Sequence, residues 1–292
     1  LTAGTYTCTI TDANGCSIVK TVSITQSAVL AATTSQTNIL CNGNATGSAT
    51  VVASGGVPTY TYLWSPSGGT AATATDLAAG NYSCLITDAN GASITKTFTI
   101  TQPTVLSATT TQTNISINGQ STGSATVAVS GGTLPYTYLW SPSGGTSATA
   151  TNLVAGTYSC TITDANGCSI VKSFIVTQPT ALTSSFTQVN LLCNGVSTGS
   201  ANVSVTGGVA PYSYAWTPAV STGSTASNLA QGTYTCVVTD ANGASVTDVI
   251  TITQPTSLIV TTSKTDVLCN GNATGSATVV ATGGTAGYTY LW

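Results

Sequence analysis

The sequence predicts an all-β chain of tandem seven-strand immunoglobulin-like (PKD-like) β-sandwiches forming an extended rod, and three observations predict it. A 76-residue period runs from end to end: Thr-Asp-Ala-Asn-Gly starts at Thr11, Thr87, Thr163 and Thr239, and tryptophan recurs at Trp64, Trp140, Trp216 and Trp292. Self-similarity at a fixed period marks a repeat architecture. Val and Ile alternate with Thr and Ser, the period-2 pattern of half-buried strands. Gly, Asn and Asp turn signals recur about every 8–12 residues, as in small sandwiches.

Cutting after each Thr-Gln divides the chain into 1–26, the C-terminal part of a truncated repeat; the full repeats 27–102, 103–178 and 179–254; and 255–292, the N-terminal part of another. Both ends fall inside a unit, so the native protein is expected to continue in both directions. In 27–102 the first strand spans Leu30–Thr37 and turns at Cys41-Asn42-Gly43 into Ser48–Ser54, with Ala49, Val51 and Ala53 on one face. Gly55-Gly56 leads to Tyr60–Trp64, where Tyr60, Tyr62 and Trp64 share a side. One or two short strands are expected in Thr70–Thr75. Asn81–Thr87 points Tyr82, Cys84 and Ile86 inward, and Ser93–Thr101 places Ile94, Phe98 and Ile100 on a common face. Trp64, Trp140 and Trp216 are the expected core centres, joined by Tyr82, Tyr158 and Tyr234.

Composition excludes most chemistry. There is no His, Met, Glu or Arg, and the charges are seven Asp and four Lys. General acid–base catalysis needs titratable groups in mutual reach, so no catalytic residue is assigned. Nucleic acid requires a basic stripe, which four scattered Lys do not make. No Cys-x-x-Cys or His cluster points to a metal, and no cofactor is expected. Although 41% of residues are hydrophobic, no membrane-length apolar run occurs. A surface of hydroxyls with nine cysteines fits an extracellular compartment.

The hairpin around Asp12-Ala13-Asn14-Gly15-Cys16 is predicted in register. Gly15 takes the left-handed conformation that closes a three-residue loop, pairing Asp12 with Cys16, Ile10 with Ile18 and Cys8 with Lys20. The same holds for Asp88 and Gly91, Asp164 and Gly167, and Asp240 and Gly243. Calcium demands several carboxylates and each loop has one, so these Asp residues are turn formers. Tyr-x-Cys has the spacing of a tyrosine corner; a plain inward aromatic is the alternative. Units join through Thr-Gln-Pro-Thr without slack, and proline keeps its predecessor extended. Each unit should add about 35–40 Å to the rod. Lys20, Lys96 and Lys172, with Asp248 in the fourth register, are expected to guard an edge strand or to lay their stems on the core; contact with a neighbouring filament strand is the alternative.

Cysteines fall into three registers: Cys41, Cys193 and Cys269 on the Asn-Gly turn; Cys8, Cys84, Cys160 and Cys236 on the Tyr-x-Cys strand; Cys16 and Cys168 after the hairpin turn. Cys160 and Cys168 stand about 13 Å apart along neighbouring strands, too far to bond. Two schemes remain. One is intra-repeat, Cys41 with Cys84 and Cys193 with Cys236. The other is inter-repeat, Cys41 with Cys168, and is favoured because Ile117 and Ala244 replace both partners together at the next joint.

Cys-Asn-Gly-x-x-Thr-Gly-Ser-Ala at 41–49, Gly55-Gly56, Tyr60–Trp64, Leu77–Gly80 and Thr87–Gly91 resemble the SprB-type repeat of gliding Bacteroidota surface adhesins. The resemblance covers the whole chain. It implies a bacterial cell-surface protein exported by the type IX system and contributing to gliding motility or attachment. The family often pairs Cys-Asn-Gly with Asn-Gly-Cys in one repeat, and no complete unit here holds both, so its disulfide habits do not transfer. The expected function is a structural stalk or filament segment, without enzymatic activity. A carbohydrate- or surface-binding array and an ice-binding Thr face are the alternatives. Expected partners are neighbouring repeats, identical chains in a filament and surface polysaccharide, with no nucleic acid and no membrane span.

Overall fold

The computed structural model describes residues 1–292 and contains strands and turns without a helix. The tail holds β1 (Gly4–Thr11) and β2 (Ser17–Ile24). The first full repeat holds β3 (Ala31–Thr37), β4 (Gly47–Ser54), β5 (Thr61–Ser65), β6 (Thr73–Leu77), β7 (Gly80–Thr87) and β8 (Ser93–Ile100). The second repeats this with β9 (Ser107–Thr113), β10 (Gly123–Ser130), β11 (Thr137–Ser141), β12 (Thr149–Leu153), β13 (Gly156–Thr163) and β14 (Ser169–Val176). The third has β15 (Thr183–Val189), β16 (Gly199–Thr206), β17 (Ser213–Thr217), β18 (Thr225–Leu229), β19 (Gly232–Thr239) and β20 (Ser245–Ile252). The head contributes β21 (Ile259–Thr265) and β22 (Ser276–Thr282).

Each full repeat is two antiparallel three-stranded sheets, β3-β4-β6 facing β5-β7-β8 in the first. The count is therefore six strands, not the seven expected. The segment between β5 and β6 folds back instead of pairing. Gly68 and Gly69 take positive φ (127° and 78°). The Trp64 amide then donates to Gly69 O at 3.1 Å and the indole N–H to Ala71 O at 2.8 Å. Backbone acceptors spent on Trp64 are lost to a seventh strand.

The alternation of the sequence puts one face of every strand into the core. Ala49, Val51, Trp64, Ala74, Leu77, Tyr82, Cys84, Ile86, Phe98 and Ile100 are buried together with Ile39, and the same set recurs in the other two repeats. Trp64 and Phe98 rings lie 5.1 Å apart at 39°, a tilted pairing aromatic rings favour. The third repeat has Ile250 where Phe98 and Phe174 stand.

The chain enters and leaves a sandwich at opposite poles. The Gly56 amide bonds Ala28 O at 2.7 Å just before β3, and the Ile39 amide bonds Thr101 O at 3.0 Å just after it. A seven-residue strand separates those two points by about 20 Å. One pole thus gathers the entry, the β4–β5 turn and the β7–β8 turn. The other gathers the β3–β4 turn and the exit, so successive repeats meet turn to turn.

Candidate functional site: the joints between repeats

Several polar side chains that recur in every full repeat lie at these poles. Asp88 follows β7, and both of its oxygens are committed to backbone amides. Oδ1 accepts from Asn90 N at 3.0 Å and Ala92 N at 2.9 Å, and Oδ2 accepts from Val57 N at 2.9 Å on the β4–β5 turn. Asp164 and Asp240 do the same with Thr133 and Val209. All three residues are buried. Donation from Val57 holds the Asp88 carboxyl below the usual carboxylate range. For Asp164 and Asp240 burial pushes upward, but the amides of Thr133 and Cys168, and of Val209 and Ala244, outweigh it and the net direction is also down. Hydrogen bonds to the charged form produce that result. In the tail, Asp12 Oδ1 accepts from Asn14 and Cys16. The Asp12 amide donates to Cys16 O, and Gly15, Gly91, Gly167 and Gly243 have φ of 81°, 85°, 83° and 87°.

The opposite pole grips the outgoing chain. Asn42 Nδ2 donates to Pro103 O at 2.8 Å, and the Gly43 amide donates to Gln102 Oε1 at 2.8 Å. Asn118 with Pro179, Gly119 with Gln178, Asn194 with Pro255 and Gly195 with Gln254 repeat the pair. The Gln-Pro junction is therefore held by the repeat it leaves, which explains why it works without linker residues.

Contact between repeats then comes from the asparagine of the β7–β8-type turn. Asn166 Nδ2 reaches back to Leu40 O at 3.0 Å and to Thr133 Oγ1 at 3.0 Å. Asn242 Nδ2 reaches Ser116 O at 2.8 Å. Sequence reasoning missed this role, because Asn-Gly reads first as turn chemistry. The only signal was an asparagine kept at the turn in all four copies.

Cys41 and Cys168 are disulfide-bonded across the same contact, with Cα atoms 5.6 Å apart. The intra-repeat alternatives, Cys41 with Cys84 and Cys193 with Cys236, are not formed. Cys84, Cys160 and Cys236 are free and buried on the core face of their strands, and Cys41 and Cys193 sit on polar turns. Burial pushes all three buried thiols up, and for Cys236 the Asp248 carboxylate adds to it.

The remaining expected residues serve the fold. The hydroxyls of Tyr6, Tyr82, Tyr158 and Tyr234 donate to the carbonyls of Thr2, Ala78, Val154 and Ala230, four residues upstream. This is tyrosine-corner geometry. Trp140 and Trp216 donate their indole N–H to Ser147 O and Gly223 O. Lys96 and Lys172 pair with core-facing Cys84 and Cys160 on edge strands and are half-buried, an arrangement that keeps an edge from pairing.

The family model described as "SprB repeat" matches residues 33–71, 109–145, 185–221 and 261–292. The chain is an array of SprB repeats. In each full copy the SprB match begins inside the first strand and stops in the loop before the fourth, so the Asp anchor and the Tyr-x-Cys strand lie beyond it. No curated protein matches the SprB array. Among solved structures it is similar to the N-terminal eight Ig domains of Down Syndrome Cell Adhesion Molecule isoform 1.30.30. That match has 12% identity and a TM-score of 0.33, covering 96% of this chain and 55% of that one. It is similar also to the four Ig domains of Dscam1 isoform 9.44 (15% identity, TM-score 0.24, covering 86% and 79%). A third is a structure of Dpr2 Ig1-Ig2 in complex with DIP-Theta Ig1-Ig3 (11%, 0.26, covering 75% and 98%). These likenesses are too distant to carry an argument, and the SprB array is Ig-like on its own strand order. No helix in it is long and apolar enough to cross a membrane.

Proposed function

We propose that this SprB array is a structural stalk or filament segment of a secreted bacterial cell-surface adhesin, serving attachment or gliding motility after type IX export. One observation carries the proposal: the Asp, Asn and Gln side chains that recur at the poles, Asp88, Asn42 and Gln102 with their equivalents, are spent on holding a repeat together or on holding the next. Asp88, Asp164 and Asp240 each accept three backbone N–H bonds within their own repeat, and Asn42, Gln102 and Asn166 tie successive units. That commitment supports a non-enzymatic role.

A surface-binding reading has one observation of its own. Leu139, Val171 and Ile175 stand on the outer face of the β11-β13-β14 sheet, each 60–63% exposed, enough to favour an apolar contact there. Negative-stain electron microscopy of the purified array separates the readings. Beaded rods whose length grows with repeat number support a stalk. A compact particle would end that proposal, and binding to a polysaccharide panel that is lost on Leu139→Ser would promote the second.

A further inference from the structure

The two complete joints are built from equivalent residues and differ at a few of them. At the first, between 27–102 and 103–178, Cys41 and Cys168 form a covalent bridge. Beside it Asn166 holds both Leu40 O and Thr133 Oγ1. At the second, between 103–178 and 179–254, the equivalents one period on are Ile117 and Ala244. There Asn242 holds Ser116 O, and Val209 stands where Thr133 offered its hydroxyl. An open cleft of about 240 Å³ lies at this joint among Ile117, Pro179, Leu182, Asp240 and Ala244, at the site corresponding to the cystine. The grips on the outgoing chain are the same at both joints, Asn42 and Gly43 at one and Asn118 and Gly119 at the other.

We infer that adjacent joints are mechanically unequal: the disulfide fuses the first two full repeats into one rigid body, and the third swings about the Gln178–Pro179 junction. The physical reason is the number of independent constraints. A grip on the junction fixes one point of the incoming repeat and leaves rotation about it. A second attachment away from that point removes the rotation. At the first joint that attachment is a covalent bond, which thermal energy does not open. At the second it is a single exposed hydrogen bond, worth about 1 kcal/mol net, beside an open cleft where half-buried Ile117 and Ala244 make no covalent tie. Small interfaces between domains leave relative motion as the default. The cysteines therefore set compliance joint by joint, and a reductant converts a locked joint into a hinged one. This inference concerns the joints themselves and stands whether or not the array serves as a stalk.

Distance distributions between nitroxides test it on the full chain. The labels go through a keto amino acid, leaving the native cysteines untouched, at exposed positions one period apart: Thr97 with Ser173, and Ser173 with Val249. The expected result in the oxidised protein is a narrow first distribution and a second at least about twofold broader, as a small interface allows. Dithiothreitol should broaden the first to match the second and leave the second unchanged. Cys41→Ser combined with Cys168→Ser should reproduce that broadening without reductant. Equal widths in the oxidised chain, or a first distribution indifferent to reduction, overturn the inference.

Discussion

The Asp88 carboxylate and the Val57 amide meet at 2.9 Å across 31 residues of chain, and that bond joins two turns that are far apart in sequence. Asp88→Asn keeps the shape of the side chain but turns an N–H toward backbone donors. The first repeat should melt roughly 5–10 °C lower, since hydrogen bonds to a charged acceptor are the strong ones and small domains respond steeply. Calorimetry of the variant checks it. An unchanged transition would mean that the turn holds itself.

The same residues set the acid limit. Asp88, Asp164 and Asp240 lie below the ordinary carboxylate value in the folded chain. A group depressed in the folded state contributes stability that is fully present above its unfolded value and is lost as pH falls through the folded one. Stability should therefore be flat from neutral pH to about 5 and decline below about 4, where unfolded Asp titrates. Urea midpoints across that range would show it, and Asp164→Asn should lessen the decline.

The tyrosine corner and the tryptophan core contribute on different scales. Tyr82→Phe removes one hydrogen bond to Ala78 O and should cost about 1 kcal/mol. Trp64→Ala empties the centre of the first core and should cost about 3–5 kcal/mol. Chemical denaturation of both variants gives the ratio.

Thiol reactivity should sort by position. Cys8, Cys16, Cys193 and Cys269 are exposed, and Cys84, Cys160 and Cys236 are buried with raised pKa values. Native protein should take up iodoacetamide at the first four alone. Reduction should add Cys41 and Cys168, and unfolding the last three. Intact-mass spectrometry counts each stage. Fast native labelling of Cys160 would contradict the closed core.

Two left-handed glycines should respond unequally to alanine. At Gly91, with φ of 85°, an added methyl would meet open space; at Gly55, with φ of 69°, it would stand only 2.1 Å from Val29 O. Gly91→Ala should cost about 1–2 kcal/mol of backbone strain. Gly55→Ala must also displace the entering strand and should lose more. Denaturation midpoints of the two variants decide it.

Local patterning was enough to reveal much of this protein. The period, the inward face of each strand and the hairpin register that sets Cys8 against Lys20 depend on residues close in sequence, where side-chain alternation and one left-handed glycine leave little choice. The number of strands was harder. Whether the chain between Ser65 and Ala72 pairs or folds back depends on Trp64, whose amide and indole claim its carbonyls, and a strand pattern does not show such competition.

The alphabet of the chain alone settled that it repeats, that it is built of strands and that its only charged side chains are four Lys and seven Asp. Pairing Cys41 with Cys168, 127 residues away, was decided by tertiary structure, as were the reach of Asn166 to Leu40 O and the tie between Asp88 and Val57. Those contacts join turns at the poles of sandwiches, and the poles come together only once each sandwich has closed. Periodicity records which way a side chain faces along its own strand; the joint replacement of Cys41 and Cys168 by Ile117 and Ala244 favoured one turn-to-turn contact, and only closure of the sandwiches decided it.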